Sequence, residues 1–206
     1  MTMRYIKQLI LIFCGLSLWA SPVYSADSPK AQVKATVNQV IDVLRDQQLQ
    51  GEPLRQTLST LIRARFDFTI MSQRTLGKYW RTATAAEQER FVSLFSELLE
   101  ASYIGRIEAY SDESVSYGEE RIEENRAAVA TMVHSGNTHI PIDYRLVLQG
   151  DDWFVYDVVI EEVSLIKNYR SSYGEIVRKE GFSGLFERME EKIAELRQSS
   201  GETTGQ

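Results

Sequence analysis

The apolar residues of this chain change their spacing once, near Val115, and this change limits the fold more than any other feature. Before it, apolar residues recur at the helical period of three or four, as at Val33, Val37 and Leu44. After it, they alternate with polar residues over four segments, at about 113–122, 126–135, 138–149 and 152–161. Helices followed by a run of strands predict an α+β domain, with helices packed on one face of a curved four-stranded antiparallel sheet.

Two dipeptides set the register of the predicted sheet. Gly136-Asn137 and Gly150-Asp151 are typical of two-residue hairpin turns. The cross-strand pairs that follow are His134 with His139, Leu148 with Trp153, Leu146 with Val155, and Tyr144 with Asp157. One face of the sheet is then largely apolar, while the opposite face of the middle strands carries histidine, aspartate and arginine.

The helical segments have recognisable boundaries. Thr84 and Glu87 form a capping box, which opens the longest predicted helix, and this helix runs to about Ala109. Two further helices, 164–180 and 183–198, follow the sheet and are divided by Gly181. The last residues, 199–206, are polar and are expected to be disordered.

The N-terminus has the layout of a secretory signal. Arg4 and Lys7 precede an apolar run, and the polar segment SPVYSAD follows it. The run from Leu9 to Trp19 is shorter than the roughly 20 residues that span a bilayer. We therefore expect a signal peptide at 1–25, a single domain at 26–198 and a location in the periplasm.

The cysteine count and the charge balance argue against a disulfide-stabilised protein and against a nucleic-acid-binding protein. The one cysteine of the chain lies inside the predicted signal, so the mature protein has no disulfide to stabilise it. The 23 basic residues include Arg4 and Lys7, so 21 basic residues remain against 29 acidic ones. Such an acidic chain argues against nucleic acid as a partner, because nucleic-acid binding needs a dense basic face.

The space between the long helix and the sheet has two interpretations. The helix carries one apolar stripe around Phe91 and Phe95 and a second around Tyr103 and Ile107, whereas the second strand offers small side chains such as Ala127. Large residues facing small ones can interdigitate in a filled core. They can also enclose an apolar cavity between the sheet and the helices.

Three polar groupings are candidate functional sites. His134 and His139 face each other beside a turn, but two histidines without further ligands are more typical of a hairpin surface than of a metal site. Asp157 opposite Tyr144 could be a catalytic base in a cavity or a buried structural hydrogen bond. A basic stretch is either a solvated surface or a docking surface for anionic head groups or a membrane complex, and it comprises Arg63, Arg65, Arg74, Lys78 and Arg81.

Three segments carry a resemblance to a known family. They are FDFTIMSQRTLGKYWR, EQERFVSLFSELLEASYIGRI and WFVYDVVIEEVSLIKNYRSSYGEIVRKEGFSGLFERM. In this order they resemble the MlaC family, periplasmic phospholipid-binding proteins of the Mla pathway that are also called toluene-tolerance auxiliary proteins. One departure is Glu162, which stands where that family's pattern has a glycine.

The resemblance implies a carrier that holds acyl chains in an apolar pocket and moves lipid between the two membranes. The implied partners are a phospholipid ligand, an inner-membrane ABC transporter complex with its substrate-binding subunit, and an outer-membrane lipoprotein complex. The expected lipid-binding residues are Phe91, Phe95, Leu98, Leu99, Tyr103, Ile107, Val129, Thr131, Ile142, Tyr144, Leu146, Trp153, Val155, Val159, Leu165 and Tyr169.

No catalytic residue, metal or cofactor is expected for such a carrier. Three alternatives remain open from the sequence: a roll-fold isomerase or dehydratase using Asp157 and Tyr144, a carrier of hopanoid-type lipids, and an adaptor that binds only proteins.

Overall fold

A computed structural model of the chain describes residues 27–110 and 114–202. The predicted signal peptide at 1–25 lies outside the described residues. The element order is α1 (Pro29–Arg45), α2 (Gly51–Arg65), α3 (Phe68–Leu76), a 3₁₀ turn (Gly77–Arg81), α4 (Ala85–Glu108), β1 (Ser114–Glu123), β2 (Arg126–Ser135), β3 (Thr138–Gln149), β4 (Asp152–Ile160), β5 (Val163–Ser164) and α5 (Leu165–Glu202). The predicted α+β architecture is confirmed.

The helix starts follow local capping chemistry. The side chain of Thr84 accepts a hydrogen bond from the Glu87 N–H, and the Glu87 carboxylate accepts one from the Thr84 N–H, so the predicted capping box is formed. Ser28 and Asp67 cap α1 and α3 in the same way, each accepting from a backbone N–H three residues on. These caps fix where each helix leaves the preceding loop.

The sheet has the order β1-β2-β3-β4-β5, with every neighbouring pair antiparallel. Both predicted hairpins are confirmed, because His134 pairs with His139 and Leu148 pairs with Trp153. The fifth strand is an addition to the predicted four. It is two residues long and pairs with the end of β4, so it turns the chain directly into α5.

The predicted register fails at one place in β4. Leu146 pairs with Val155 as expected, but Arg145 pairs with Asp157, so Tyr156 is an extra residue in a β-bulge. One inserted residue reverses the side-chain alternation beyond it. Tyr144 consequently pairs with Val158, and the predicted pair of Tyr144 with Asp157 is wrong.

The turn between β4 and β5 holds two glutamates in a strained backbone conformation. Glu161 has φ 47° and Glu162 has φ 67°, so both central residues of the turn are left-handed. A Cβ makes this conformation unfavourable by about 1–2 kcal/mol per residue. The chain therefore builds with glutamate a turn for which glycine is the favoured residue.

Replacing Glu162 by glycine is expected to raise the free energy of unfolding by roughly 0.5–1 kcal/mol, because relief of the left-handed backbone outweighs the added freedom of the unfolded chain. Urea denaturation of the two proteins measures the difference. Glu123→Gly in the extended strand β1 is the control and should lose stability instead. A loss of stability in Glu162→Gly would mean that the glutamate side chain holds the turn.

The C-terminal helical segment is divided as predicted. Gly181 has φ 71° and ψ −171°, which is not helical, so α5 consists of two helices joined at a kink. The second helix continues to Glu202 and so differs from the polar tail expected at 199–206, of which 203–206 lie outside the described residues. In residues 27–110 and 114–202, no helix has the length and apolar character needed to cross a membrane.

Candidate functional site: an apolar frame and a basic cleft

The apolar interior consists of two clusters. The helical cluster joins α3, α4 and α5, with Phe91, Phe95 and Leu185 fully buried at its centre. The sheet cluster lies between α1 and one face of the sheet, with Val129, Leu146 and Val155 at its centre. Phe66, at the end of α2, packs against both clusters.

The sixteen residues expected to bind lipid divide between these clusters. Six lie in or against the helical cluster, namely Phe91, Phe95, Leu98, Leu99, Tyr103 and Tyr169. Seven lie in or against the sheet cluster, namely Val129, Ile142, Tyr144, Leu146, Trp153, Val155 and Leu165. Thr131, Ile107 and Val159 lie outside both clusters.

The bulge in β4 explains the placement of Val159. Val158 occupies the sheet cluster, whereas Val159 pairs with Asp143 on the opposite face. The expectation that Val159 lines the same wall as Val155 is therefore wrong. Thr131 keeps its predicted face, where its hydroxyl is buried and donates to the Ile142 carbonyl at 2.8 Å.

Aromatic side chains of α4 and α5 pack together in a closed core. The Phe91 and Phe95 rings stack with centroids 5.4 Å apart, and Tyr169 and Tyr173 meet Phe95 edge-on at 5.3 Å and 6.3 Å. Edge and offset contacts at these distances are the favoured aromatic geometry. The space between α4 and α5 is therefore filled by interdigitating rings.

Six of the sixteen residues are only half-buried, and we name them the apolar frame. Its members are Tyr103 and Ile107 from α4, Ile142 and Tyr144 from β3, and Leu165 and Tyr169 from α5. Apolar surface that the protein leaves half-covered gains free energy when another apolar group covers it. An acyl chain therefore gains more contact at these six residues than at residues that the protein already buries fully.

The tyrosines of the frame, and Tyr117 beside it, lie in an environment of low polarity. Burial, together with the neighbouring Tyr117 and Tyr110, raises the pKa of Tyr144 to about 12. Burial also raises the pKa of Tyr103 and of Tyr169. The Tyr117 hydroxyl is buried without a hydrogen-bond partner among the described residues. This low-polarity environment suits hydrocarbon and disfavours a charged ligand group.

Asp157 joins β4 to α5 through hydrogen bonds of its side chain. Its carboxylate accepts hydrogen bonds from the Ser164 hydroxyl at 2.7 Å and from the Ile166 N–H at 3.2 Å. It also pairs with Arg145 at 3.0 Å, and Ser164 in turn accepts from the Lys167 N–H. The carboxylate thus fixes the first turn of α5 against the sheet, and its partner is Arg145 rather than the predicted Tyr144.

The two histidines of the predicted pair contact each other, but they bring too few ligands together for a metal site. The Nδ1 atoms of His134 and His139 are 2.9 Å apart, and His134 Nε2 lies 2.9 Å from the Ser116 hydroxyl. Across the described part of the chain, no group of three or more His, Cys, Asp or Glu side chains could hold a metal ion.

A second feature is a cleft of about 1080 Å³ between α3, the 3₁₀ turn, α5 and the β1–β2 turn. None of the sixteen expected lipid-binding residues lines it. Its walls carry Arg74, Lys78 and Arg81, which belong to the basic stretch predicted from the sequence. Arg63 and Arg65 of that stretch point elsewhere, to Glu100 and to Gln32 respectively.

Sequence reasoning missed the remaining cations of this cleft. They are Arg126 from the start of β2 and Arg170 and Arg178 from α5. The spacing of eight residues between Arg170 and Arg178 places both on one face of a helix, which was an available signal. Arg126 comes from a distant part of the chain, and no local pattern predicts its approach.

Comparisons with known proteins point to one family. The MlaC protein family matches residues 34–191. The chain is 24% identical over 128 residues to the intermembrane phospholipid transport system binding protein MlaC of Haemophilus influenzae, which covers 59% of this chain and 60% of that protein. It is 24% identical over 106 residues to the toluene tolerance protein ttg2D of Pseudomonas putida, 50% of this chain and 49% of that protein.

The matched region thus spans about half to three-fifths of the length of these curated relatives. A solved structure covers more. The phospholipid-binding protein from Ralstonia solanacearum, in complex with a phospholipid, matches with a TM-score of 0.74 and 25% identity, over 82% of this chain and 98% of that one. Since the family match spans residues 34–191, well over half of its length, the chain belongs to the MlaC protein family.

Proposed function

We propose that this protein is a phospholipid-binding transport protein of the periplasm, which holds acyl chains against the apolar frame. The observation that carries the proposal is the frame itself, half-buried side chains from α4, β3 and α5 whose tyrosines lie in an environment of low polarity. Support comes from the Ralstonia solanacearum protein, a fold of the same kind in complex with a phospholipid.

The energetics of lipid transfer explain why such a frame is useful. Moving an acyl chain out of water is worth about 0.8 kcal/mol per CH₂, or on the order of 12 kcal/mol for a 16-carbon chain. A free phospholipid therefore leaves a membrane slowly. A carrier lowers this barrier by offering apolar surroundings, and it needs no chemical step.

The same proposal places the protein in the periplasm and implies partner complexes on both membranes. The Haemophilus influenzae relative is named for an intermembrane phospholipid transport system, and this chain begins with the layout of an export signal. We infer partners on both membranes: an inner-membrane ABC transporter complex with its substrate-binding subunit, and an outer-membrane lipoprotein complex.

The isomerase or dehydratase alternative is less well supported by the geometry. A general base needs a lone pair directed at the substrate. In Asp157, both carboxylate oxygens already accept hydrogen bonds, from Ser164, Arg145 and the Ile166 N–H. Tyr144, the other residue of that hypothesis, lies on the opposite face of the sheet from Asp157.

The proposed function makes a prediction about lipid occupancy. Protein purified from a periplasmic extract is expected to carry phospholipid, because a half-covered apolar surface takes up whatever acyl chain is available. Gentle native mass spectrometry should show a mass increase equal to one or more phospholipids. Organic extraction followed by lipid analysis then identifies the ligand.

Two results would contradict this prediction. Only ligand-free protein, from cells with normal membranes, would favour the adaptor that binds proteins alone. A polycyclic lipid in place of phospholipid would favour the hopanoid-type alternative. Protein refolded from urea without lipid and then mixed with phospholipid vesicles is the control, and it should regain the same mass increase.

A further inference from the structure

The basic cleft differs in charge from the rest of the molecule. Six cationic side chains line it, Arg74, Lys78, Arg81, Arg126, Arg170 and Arg178, whereas the whole sequence has more acidic than basic residues. The one carboxylate in the lining, Glu175, is already paired with Lys179 at 2.6 Å. The cleft therefore concentrates positive charge on an acidic protein.

Among the described residues, these six cations also have no carboxylate within ion-pair distance. Nine ion pairs occur among the described residues, and none of them includes a cation of the cleft. Elsewhere on the surface, arginines such as Arg188 and Arg197 pair with nearby glutamates. Like charges gathered in one concave place repel one another unless an anion neutralises them.

Two of the guanidinium groups are held in place before any ligand arrives. The guanidinium of Arg74 lies over the Tyr156 ring, 4.1 Å from its centroid. The guanidinium of Arg170 lies against the backbone of Gly77, where an added Cβ would come within 3.1 Å of it. Gly77 also has φ 57°, so this contact depends on glycine. Arginines fixed in this way lose less entropy on binding a ligand.

We propose that the basic cleft is a binding site for a phosphate-bearing anion, separate from the apolar frame. Guanidinium groups match the oxygens of a phosphate in paired, charge-assisted hydrogen bonds. The neutral side chains of Gln73 and Asn125 supply further hydrogen-bonding groups in the same lining. The phosphate can belong to a lipid head group in a membrane or to a free phosphate ester, since the chemistry is the same.

The test compares two double variants of equal net charge. Arg126→Gln with Arg170→Gln removes two exposed cations of the cleft, one from β2 and one from α5. Arg188→Gln with Arg197→Gln removes two exposed cations outside it and is the matched control. Isothermal titration with inorganic phosphate and with glycerol 3-phosphate, at low and constant ionic strength, measures binding. Flotation with phosphatidylglycerol and with phosphatidylcholine vesicles measures binding to phosphate in lipid head groups.

The wild-type protein and the control are expected to bind at least one phosphate-bearing probe saturably, and the cleft variant about tenfold or more weakly, because it lacks two of the charged groups that hold the phosphate oxygens. Binding should weaken in added sodium chloride, because the cations are exposed. Binding to phosphatidylglycerol vesicles assigns the site to lipid head groups. Binding to glycerol 3-phosphate without vesicle binding assigns it to a free ester.

Three results would overturn the proposal: no saturable binding of any phosphate probe, equal loss in the two double variants, or binding of an acidic peptide alone. Retention of phospholipid by the apolar frame is a separate measurement. The cleft variant should keep its copurified lipid, so a failure of this inference and a failure of the proposed function give different results.

Discussion

The variant Ile142→Glu is expected to lose its bound phospholipid while remaining folded. Ile142 belongs to the apolar frame and is half-buried in β3, so a glutamate there can reach water in the lipid-free protein. With lipid bound, the carboxylate would be covered by hydrocarbon, and burying an unpaired charge costs several kcal/mol. Native mass spectrometry should show ligand-free protein, with a far-UV spectrum like that of the wild type.

Met132→Glu is the matched control. Met132 is half-buried in the adjacent strand but lies on the opposite face of the sheet and outside both apolar clusters. A glutamate there adds the same charge to the same sheet and should leave bound lipid unchanged. Equal lipid content in Ile142→Glu and the wild type would mean that the frame is not the binding surface.

The sheet shows which parts of this fold local sequence can specify. Gly136 and Gly150 adopt positive φ in two-residue turns, so each hairpin could be placed residue by residue. The bulge at Tyr156 has no such local signal. Tyr156 packs in the helical cluster, and the register shift follows from tertiary packing between β4 and the helices. Everything predicted beyond that point in β4, including the side of Val159, was therefore reversed.

The functional surfaces show a similar limit. The apolar character of Ile107, Ile142 and Leu165 is evident from sequence, but their half-burial depends on the tertiary packing of α4, β3 and α5. The basic stretch around Arg74 was visible as well, yet its partners Arg126 and Arg170 come from elements that are distant in the chain. Composition thus predicts the chemistry of such surfaces, whereas tertiary structure decides which residues share one.

Asp157→Asn is expected to lower the free energy of unfolding by roughly 2–3 kcal/mol, because the carboxylate is buried and accepts charge-assisted hydrogen bonds. For a domain of this size, such a loss corresponds to a fall in melting temperature of roughly 5–10 °C. The amide can still accept one hydrogen bond, but its NH₂ group faces the Arg145 guanidinium, which is itself a donor. Differential scanning calorimetry measures the effect.

Arg145→Gln is the companion variant. It removes one partner of Asp157 but leaves the hydrogen bonds from Ser164 and from the Ile166 N–H. The Arg145 side chain is partly exposed, so its loss should cost less than the loss of the Asp157 charge. A smaller fall in melting temperature than in Asp157→Asn would assign most of the stabilisation to the junction with α5.

The same variant distinguishes a carrier from an enzyme. A carrier has no proton-transfer step, so lipid transfer between vesicles by Asp157→Asn should fall only as far as the folded fraction falls. A general base replaced by an amide would instead lose activity by orders of magnitude at an unchanged melting temperature. Turnover of a small ketone or lactone that disappears in Asp157→Asn, without any loss of stability, would contradict the assignment of Asp157 to the strand–helix junction. The three hydrogen bonds that occupy its carboxylate are the reason to expect the first result.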